Sequence, residues 1–118
     1  MLNENKKWNN YNFEIDNNPD SLYSYEDKIN YLVVASKLFK KGIYVRSRRP
    51  GDKIKVSDFM TKKVKNIFID NKISNIEKDK FPIITDSSDN VIWVPGLERS
   101  KEVASNNKLN NIAIKYIV

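Results

Sequence analysis

Three of the four arginines in this 118-residue chain fall in one short stretch, Arg46-Ser47-Arg48-Arg49-Pro50-Gly51-Asp52. Elsewhere the chain meets its need for positive charge with lysine, 17 Lys against 4 Arg overall. The difference is chemical: guanidinium presents a planar fork of donors that grips a phosphate or carboxylate through two bonds, which an ammonium cannot do. Residues 46–65 hold eight basic and two acidic side chains, a net of +6, while the other residues hold 13 of each sign. The whole formal charge of the protein is therefore focused on one segment, the electrostatic footprint expected for a polyanion and most often for nucleic acid. The competing reading is an ordinary solvated basic face. Strand-like alternation would place Arg46 and Arg48 on one face and Ser47 and Arg49 on the other. At least one arginine should then turn inward, toward a carboxylate such as Asp52 or Asp58 or toward backbone carbonyls. The candidate anion-binding residues are Arg46, Arg48, Arg49, Lys53, Lys62, Lys63, Lys65 and Arg99.

Other chemistry is largely closed off. The chain has no cysteine and no histidine, which removes disulfides, thiolate nucleophiles, the commonest general base and the commonest metal ligand. A Ser-His-Asp triad, a Cys-His dyad and a structural zinc site are excluded. Three glycines cannot make a Gly-rich phosphate cradle. Asp86/Asp89 and Glu77/Asp79 are carboxylate pairs, read as turn and helix-surface residues rather than acid–base catalysts. Trp93, beside Pro95-Gly96 and Arg99, is a candidate for stacking on a base, although a tryptophan in a hairpin belongs more often to the core. The longest strictly apolar runs reach about four residues, too short for a membrane-spanning helix. The start of the chain lacks a signal-peptide pattern, so the cytoplasm is the expected compartment.

The elements that must hold these residues follow from periodicity. Trp8, Tyr11, Phe13 and Ile15 are spaced as in one strand with an irregularity at Asn9-Asn10. Residues 16–21 form a polar turn cluster. Tyr31-Leu32-Val33-Val34-Ala35 reads as a buried strand, Lys40-Lys41-Gly42 as a turn and Ile43-Tyr44-Val45-Arg46 as another strand. Arg49-Pro50-Gly51-Asp52 is a tight turn. In residues 61–71, Val64, Ile67 and Phe68 recur at helical spacing, with Thr61 as N-cap. Lys62 and Lys63 would then oppose the helix dipole, a broken local rule that suggests anion binding, unless it reflects simple lysine abundance. Ser74-Asn75-Ile76-Glu77 has capping-box spacing and predicts a second short helix to about Lys80. Residues 83–85 and 91–94 predict a hairpin across a five-residue polar loop, and Pro95-Gly96 ends it. Ile112, Ile114 and Tyr116 alternate in a final strand.

Several blocks together resemble the C-terminal domain of tRNA(Ile)-lysidine synthetase. They are Val45-Arg46-Ser47-Arg48-Arg49-Pro50-Gly51-Asp52; Thr61-Lys62-Lys63-Val64-Lys65 with Ile67-Phe68-Ile69-Asp70; Lys72-Ile73; Phe81-Pro82-Ile83; and Ile92-Trp93-Val94-Pro95-Gly96-Leu97. Their order and spacing agree over about residues 31–102. The chain departs from the pattern at Glu77-Lys78-Asp79-Lys80, where many relatives carry an acidic residue and an arginine, and between Asp52 and Thr61, where a glycine is usual. The resemblance implies a parent enzyme, an ATP-dependent ligase, that joins lysine to the wobble cytidine of an isoleucine tRNA after adenylating the base. It places that chemistry and its ATP in an N-terminal domain with a Ser-Gly-Gly-x-Asp-Ser loop, which this chain lacks.

The expectation is therefore an α+β fold, with antiparallel strands in a small sandwich-like arrangement and two short helices after the Arg-rich turn. Residues 1–30 would supply an N-terminal strand and connector, either to the same domain or beside it, and residues 31–118 the lysidine-synthetase C-terminal-like domain. No catalytic residue, metal or cofactor is assigned to this chain itself. The resemblance implies tRNA(Ile) and the other domains of the parent enzyme as partners, with the acceptor stem held by this domain. The alternative is a protein-docking or homodimerising module whose basic cluster meets acidic protein.

Overall fold

The computed structural model describes residues 1–17, 31–100 and 111–117. β1 (Lys6–Trp8) and β2 (Tyr11–Asp16) form an antiparallel hairpin. The irregularity expected within one strand is instead a two-residue turn between two strands: Asn9 takes φ 52°, a left-handed conformation that asparagine tolerates better than most residues. β10 (Asn111–Ile117) lies between β2 and β3 (Tyr31–Ala35), giving a four-stranded sheet of order β1-β2-β10-β3. Residues 6–16 are thus hydrogen-bonded into the same sheet as residues 31–35 and 111–117. The turn expected at residues 16–21 falls largely outside the described residues. β3 leads into α1 (Ser36–Lys41), a short helix that the turn reading of Lys40-Lys41-Gly42 does not anticipate; it stops at Gly42, φ 119°.

The second sheet has the order β4-β7-β8-β9, from β4 (Tyr44–Arg46), β7 (Ile83–Thr85), β8 (Val91–Val94) and β9 (Glu98–Arg99). The predicted β7–β8 hairpin is present, and Pro95-Gly96 makes the tight turn into β9, with Leu97 N–H donating to Val94 O at 2.9 Å and Gly96 at φ 81°. Both faces of this sheet are covered. Ile84 and Trp93 pack toward the first sheet, against Phe13, Leu32, Val34 and Ile114. Ile83, Val91 and Val94 pack on the other side, against Ile54, Val64, Ile67 and Phe68. A strand buried on both faces has no polar side to show, which is why Val91-Ile92-Trp93-Val94 is continuously apolar. Ile92 is the extra residue of a β-bulge: Ile84 faces Trp93 while Thr85 faces Val91. Trp93 is fully buried, edge-on to Phe13 and Tyr116 at centroid distances of 6.5 and 5.5 Å. It is a core residue and takes no part in stacking on a ligand. Two four-stranded antiparallel sheets share one core, and a helix packs on the outer face of the second, which makes the α+β, sandwich-like arrangement that the sequence predicts.

The segment after the Arg-rich turn differs in its first half. Thr61, Lys62 and Lys63 form a strand, β6 (Thr61–Lys63), paired with β5 (Lys53–Lys55), and the helix α2 begins only at Val64 (Val64–Asp70). Thr61 is therefore not the N-cap; Lys63 holds that position and makes no side-chain capping bond. Lys62 and Lys63 precede the helix, so they do not oppose its dipole from within the first turn, and only Lys65 sits there. Cross-strand pairing with residues 53–55 overrides the local helical pattern, and Val64 N–H donates to Asp52 O at 3.0 Å to close the base of the hairpin. From Val64 onward the prediction holds: Val64, Ile67 and Phe68 are the buried face of α2. In α3 (Asn75–Lys78), Ser74 caps the helix by accepting from Glu77 N–H at 3.2 Å. Among the described residues no helix is long and apolar enough to cross a membrane.

Candidate nucleic-acid interface

Arg46 ends β4 and lies at the centre of the charged cluster, its side chain only 13% exposed. Its Nη1 and Nη2 donate to the two carboxylate oxygens of Asp52 at 2.9 and 2.8 Å. Nε donates to Asp89 Oδ1 at 3.0 Å, and Nη1 also reaches the carbonyl of Ser47 at 2.9 Å. Four of the five donors of the guanidinium are thereby engaged. Asp52 in turn accepts the backbone N–H of Arg49 at 2.7 Å, across the Pro50-Gly51 turn in which Gly51 takes φ 84°. That φ suits the third position of a type II turn, and proline presets the second. Burial by itself would raise the Asp52 carboxyl, but the hydrogen bonds from Arg46 and from the Arg49 N–H, with both guanidinium charges, outweigh it and hold the carboxyl below its ordinary value.

Asp89 is brought to this point by the β7–β8 turn. Asp86 organises that turn by accepting the N–H groups of Ser88 and Asn90 at 3.0 and 2.9 Å, and Asp89 adopts φ 63°. The carboxylate pair of the sequence reading, Asp86/Asp89, is thus a turn former and an arginine partner. Asp79, at the end of α3, pairs with Arg48 at 3.2 Å, and its carbonyl accepts from Ser47 Oγ at 3.2 Å. The sequence points to an inward-facing arginine with Asp52, Asp58 or backbone carbonyls as acceptors, and the structure shows Arg46 on Asp52; Asp79 and Asp89 lie 31 to 43 residues of sequence from the arginines they meet. No spacing rule connects positions that far apart.

The remaining basic residues stand differently. Arg49 bonds Asp89 Oδ2 at 2.9 Å but keeps 61% of its side chain exposed, and Arg48 keeps 39%. Exposed pairs of this kind hold with roughly 0–1 kcal/mol, so either arginine can exchange its carboxylate for a phosphate. Lys53 and Lys63 are exposed and opposite one another across the β5–β6 hairpin, and Lys65 is exposed on the first turn of α2. Lys62 points the other way on its strand and donates to the buried Glu98 at 2.9 Å. Arg99 is half-buried on β9, paired across to Trp93. An open cleft of about 680 Å³ is lined by Lys53 and Lys55 of the hairpin and by Asp86 and Asp89 of the β7–β8 turn, among others. The cluster thus divides by role: Arg46 braces the turn from inside, Lys62 ties the hairpin to β9, and Arg48, Arg49, Lys53, Lys63 and Lys65 present charge to solvent. Among the described residues no group of three or more potential ligand side chains converges as a metal site.

An α+β domain that carries its charge on a Pro-Gly turn and an adjoining hairpin is a match for one known family. The profile of the TilS substrate C-terminal domain matches residues 43–116, and the chain belongs to that family. It is 42% identical over 69 residues to the tRNA(Ile)-lysidine synthase of Bacillus subtilis (strain 168), covering 58% of this chain and 15% of that protein. The tRNA(Ile)-lysidine synthase of Bacillus licheniformis is 46% identical over 59 residues, 49% of this chain and 12% of that protein. The chain therefore spans only about a seventh of the length of these curated relatives. Among solved structures, one described as the crystal structure of TILS C-terminal domain superposes with a TM-score of 0.77 at 31% identity, over 92% of this chain and 84% of the other. The family expected from the sequence blocks is the family found.

Proposed function

We propose that this domain holds tRNA through phosphate contacts from its basic segment and so positions the substrate for lysidine formation elsewhere in the parent enzyme. The observation that carries the reading is the concentration of a net +6 in residues 46–65, which Asp79, Asp89 and Glu98 offset only in part, beside a turn braced by Arg46, Asp52 and Asp89. Arg48, Arg49, Lys53, Lys63 and Lys65 are the contact residues in this reading, Lys62 and Arg99 add charge from the flank, and Arg46 acts by holding the turn in shape. Phosphate contacts position an RNA without reading its sequence, which suits a domain remote from the modified base. In the parent enzyme, named in its relatives for tRNA(Ile) and lysidine, a separate domain would use ATP to attach lysine to the wobble cytidine while this one holds the acceptor stem in the cytoplasm.

A second reading is favoured by the exposed Ile69 and Ile76 on α2 and α3, 53% and 76% accessible: docking on the parent enzyme's other domains, or homodimerisation, without RNA contact. Electrophoretic titration of the chain with tRNA(Ile) at two salt concentrations separates the two. Three to five phosphate contacts predict that log affinity falls with log salt at a slope of about −0.9 per contact. A flat salt response, together with a stable dimer by sedimentation, rejects phosphate contact in favour of docking.

A further inference from the structure

We infer that Phe59, at the tip of the β5–β6 hairpin, stacks on an unpaired or helix-terminal base of the RNA that the neighbouring lysines hold; the inference rests on the RNA-binding reading above. The side chain is 99% exposed and Met60 beside it 52%. Phenylalanine gains nothing for the fold in that position and forgoes the burial that drives it inside elsewhere. The hairpin that carries it is firmly seated. Ile54 is fully buried, Val64 N–H holds Asp52 O at 3.0 Å, Lys62 holds Glu98 at 2.9 Å, and Ser100 Oγ donates to Lys55 O at 3.2 Å. At the far end, Val56 N–H donates to Met60 O at 3.0 Å and Phe59 N–H to Ser57 Oγ at 3.3 Å, closing a tight loop around residues 57–59. A braced hairpin thus presents an aromatic ring at its apex and exposed Lys53, Lys55 and Lys63 along its strands. The matching ligand has a flat π face with phosphates beside it, which describes a nucleotide in an RNA. The order along the chain also fits: the charges sit on the strands, where they can follow a backbone, and the ring sits beyond them, where the backbone presents its bases.

The test compares Phe59→Ala, Phe59→Leu, Phe59→Trp and Lys63→Ala in the 118-residue chain, by titration with tRNA(Ile) over a salt series and by thermal melting. Loss of one stacked base predicts an affinity lower by about 5- to 150-fold for Phe59→Ala. The salt slope should be that of the parent, because no phosphate contact is lost, and so should the melting temperature. Phe59→Leu should lose part of the affinity. Phe59→Trp should keep it, and its added tryptophan emission should be quenched by tRNA. Parent-like affinity in Phe59→Ala overturns the stacking inference, and a loss in Lys63→Ala alongside it leaves the phosphate reading standing. A loss in Phe59→Ala that comes with a lowered melting temperature, or full affinity in Phe59→Leu, likewise overturns stacking. If the parent chain binds no tRNA at low salt, both readings fall.

Discussion

Removing the Arg46 guanidinium should cost the domain stability before it costs RNA affinity. Arg46→Ala deletes three charge-assisted bonds to carboxylates and one to a carbonyl. It strands Asp52, whose side chain is 10% exposed, with only the Arg49 N–H as partner. Breaking a fully buried ion pair from one side costs about 3–5 kcal/mol. Here Asp89 is 53% exposed and water can take over its share, so about 2–3 kcal/mol is the reasoned figure. At this chain length each kcal/mol moves the melting temperature by about 4 °C, so a drop of about 8–12 °C follows. Circular dichroism melting and urea titration read it. Arg49→Ala, whose pair is solvent-exposed, should stay within about 1 kcal/mol of the parent. The double variant Arg46→Ala/Asp52→Ala should be less destabilised than the sum of its parts, because neither stranded charge remains. An Arg46→Ala protein that melts within about 2 °C of the parent refutes the bracing role. If that protein also bound tRNA tenfold more weakly, Arg46 would be a phosphate ligand instead.

Two further outcomes follow from the same geometry. Lys63→Ala and Arg49→Ala should each weaken tRNA binding and flatten the salt slope by about 0.9 per lost phosphate, whereas Lys78→Ala, outside the basic segment, should leave the slope unchanged; Arg49→Lys should recover charge but not the fork. In acid, Asp52 matters: its folded carboxyl binds protons less readily than in the unfolded chain, so its contribution to stability is complete above about pH 4 and is lost as pH falls through its lowered folded value. An acid titration of stability should be steeper below about pH 4 for the parent than for Asp52→Asn, and equal slopes would show that the Arg46 pair does not discriminate the ionised carboxylate.

The sequence by itself determined whatever depends on neighbours a few residues apart. The apolar face of α2, the Ser74 cap, the Pro50-Gly51 and Pro95-Gly96 turns, the β7–β8 hairpin and the alternation in β10 all express rules that reach only a few residues along the chain, the longest being the Thr85–Val91 closure of the hairpin. The focusing of charge is likewise a property of order along the chain, and five spaced blocks sufficed to indicate the family. Tertiary structure decided what those charges do. Thr61, Lys62 and Lys63 carry a pattern that suits a helix start, yet residues 53–55 pair with them and make them a strand, which turns Lys62 toward Glu98 and leaves Lys63 in solvent. Asn9-Asn10 is a turn because Lys7 and Asn12 pair across it, a choice that the alternation of Trp8, Tyr11 and Phe13 did not make. Most of all, Arg46 and Arg49 look equivalent in sequence. The β7–β8 turn delivers Asp89 to both, and only the depth of Arg46 between Asp52 and Asp89 makes one a brace and the other an exposed cation. Depth and long-range pairing are set by how the two sheets and the hairpin pack, and no local pattern encodes them.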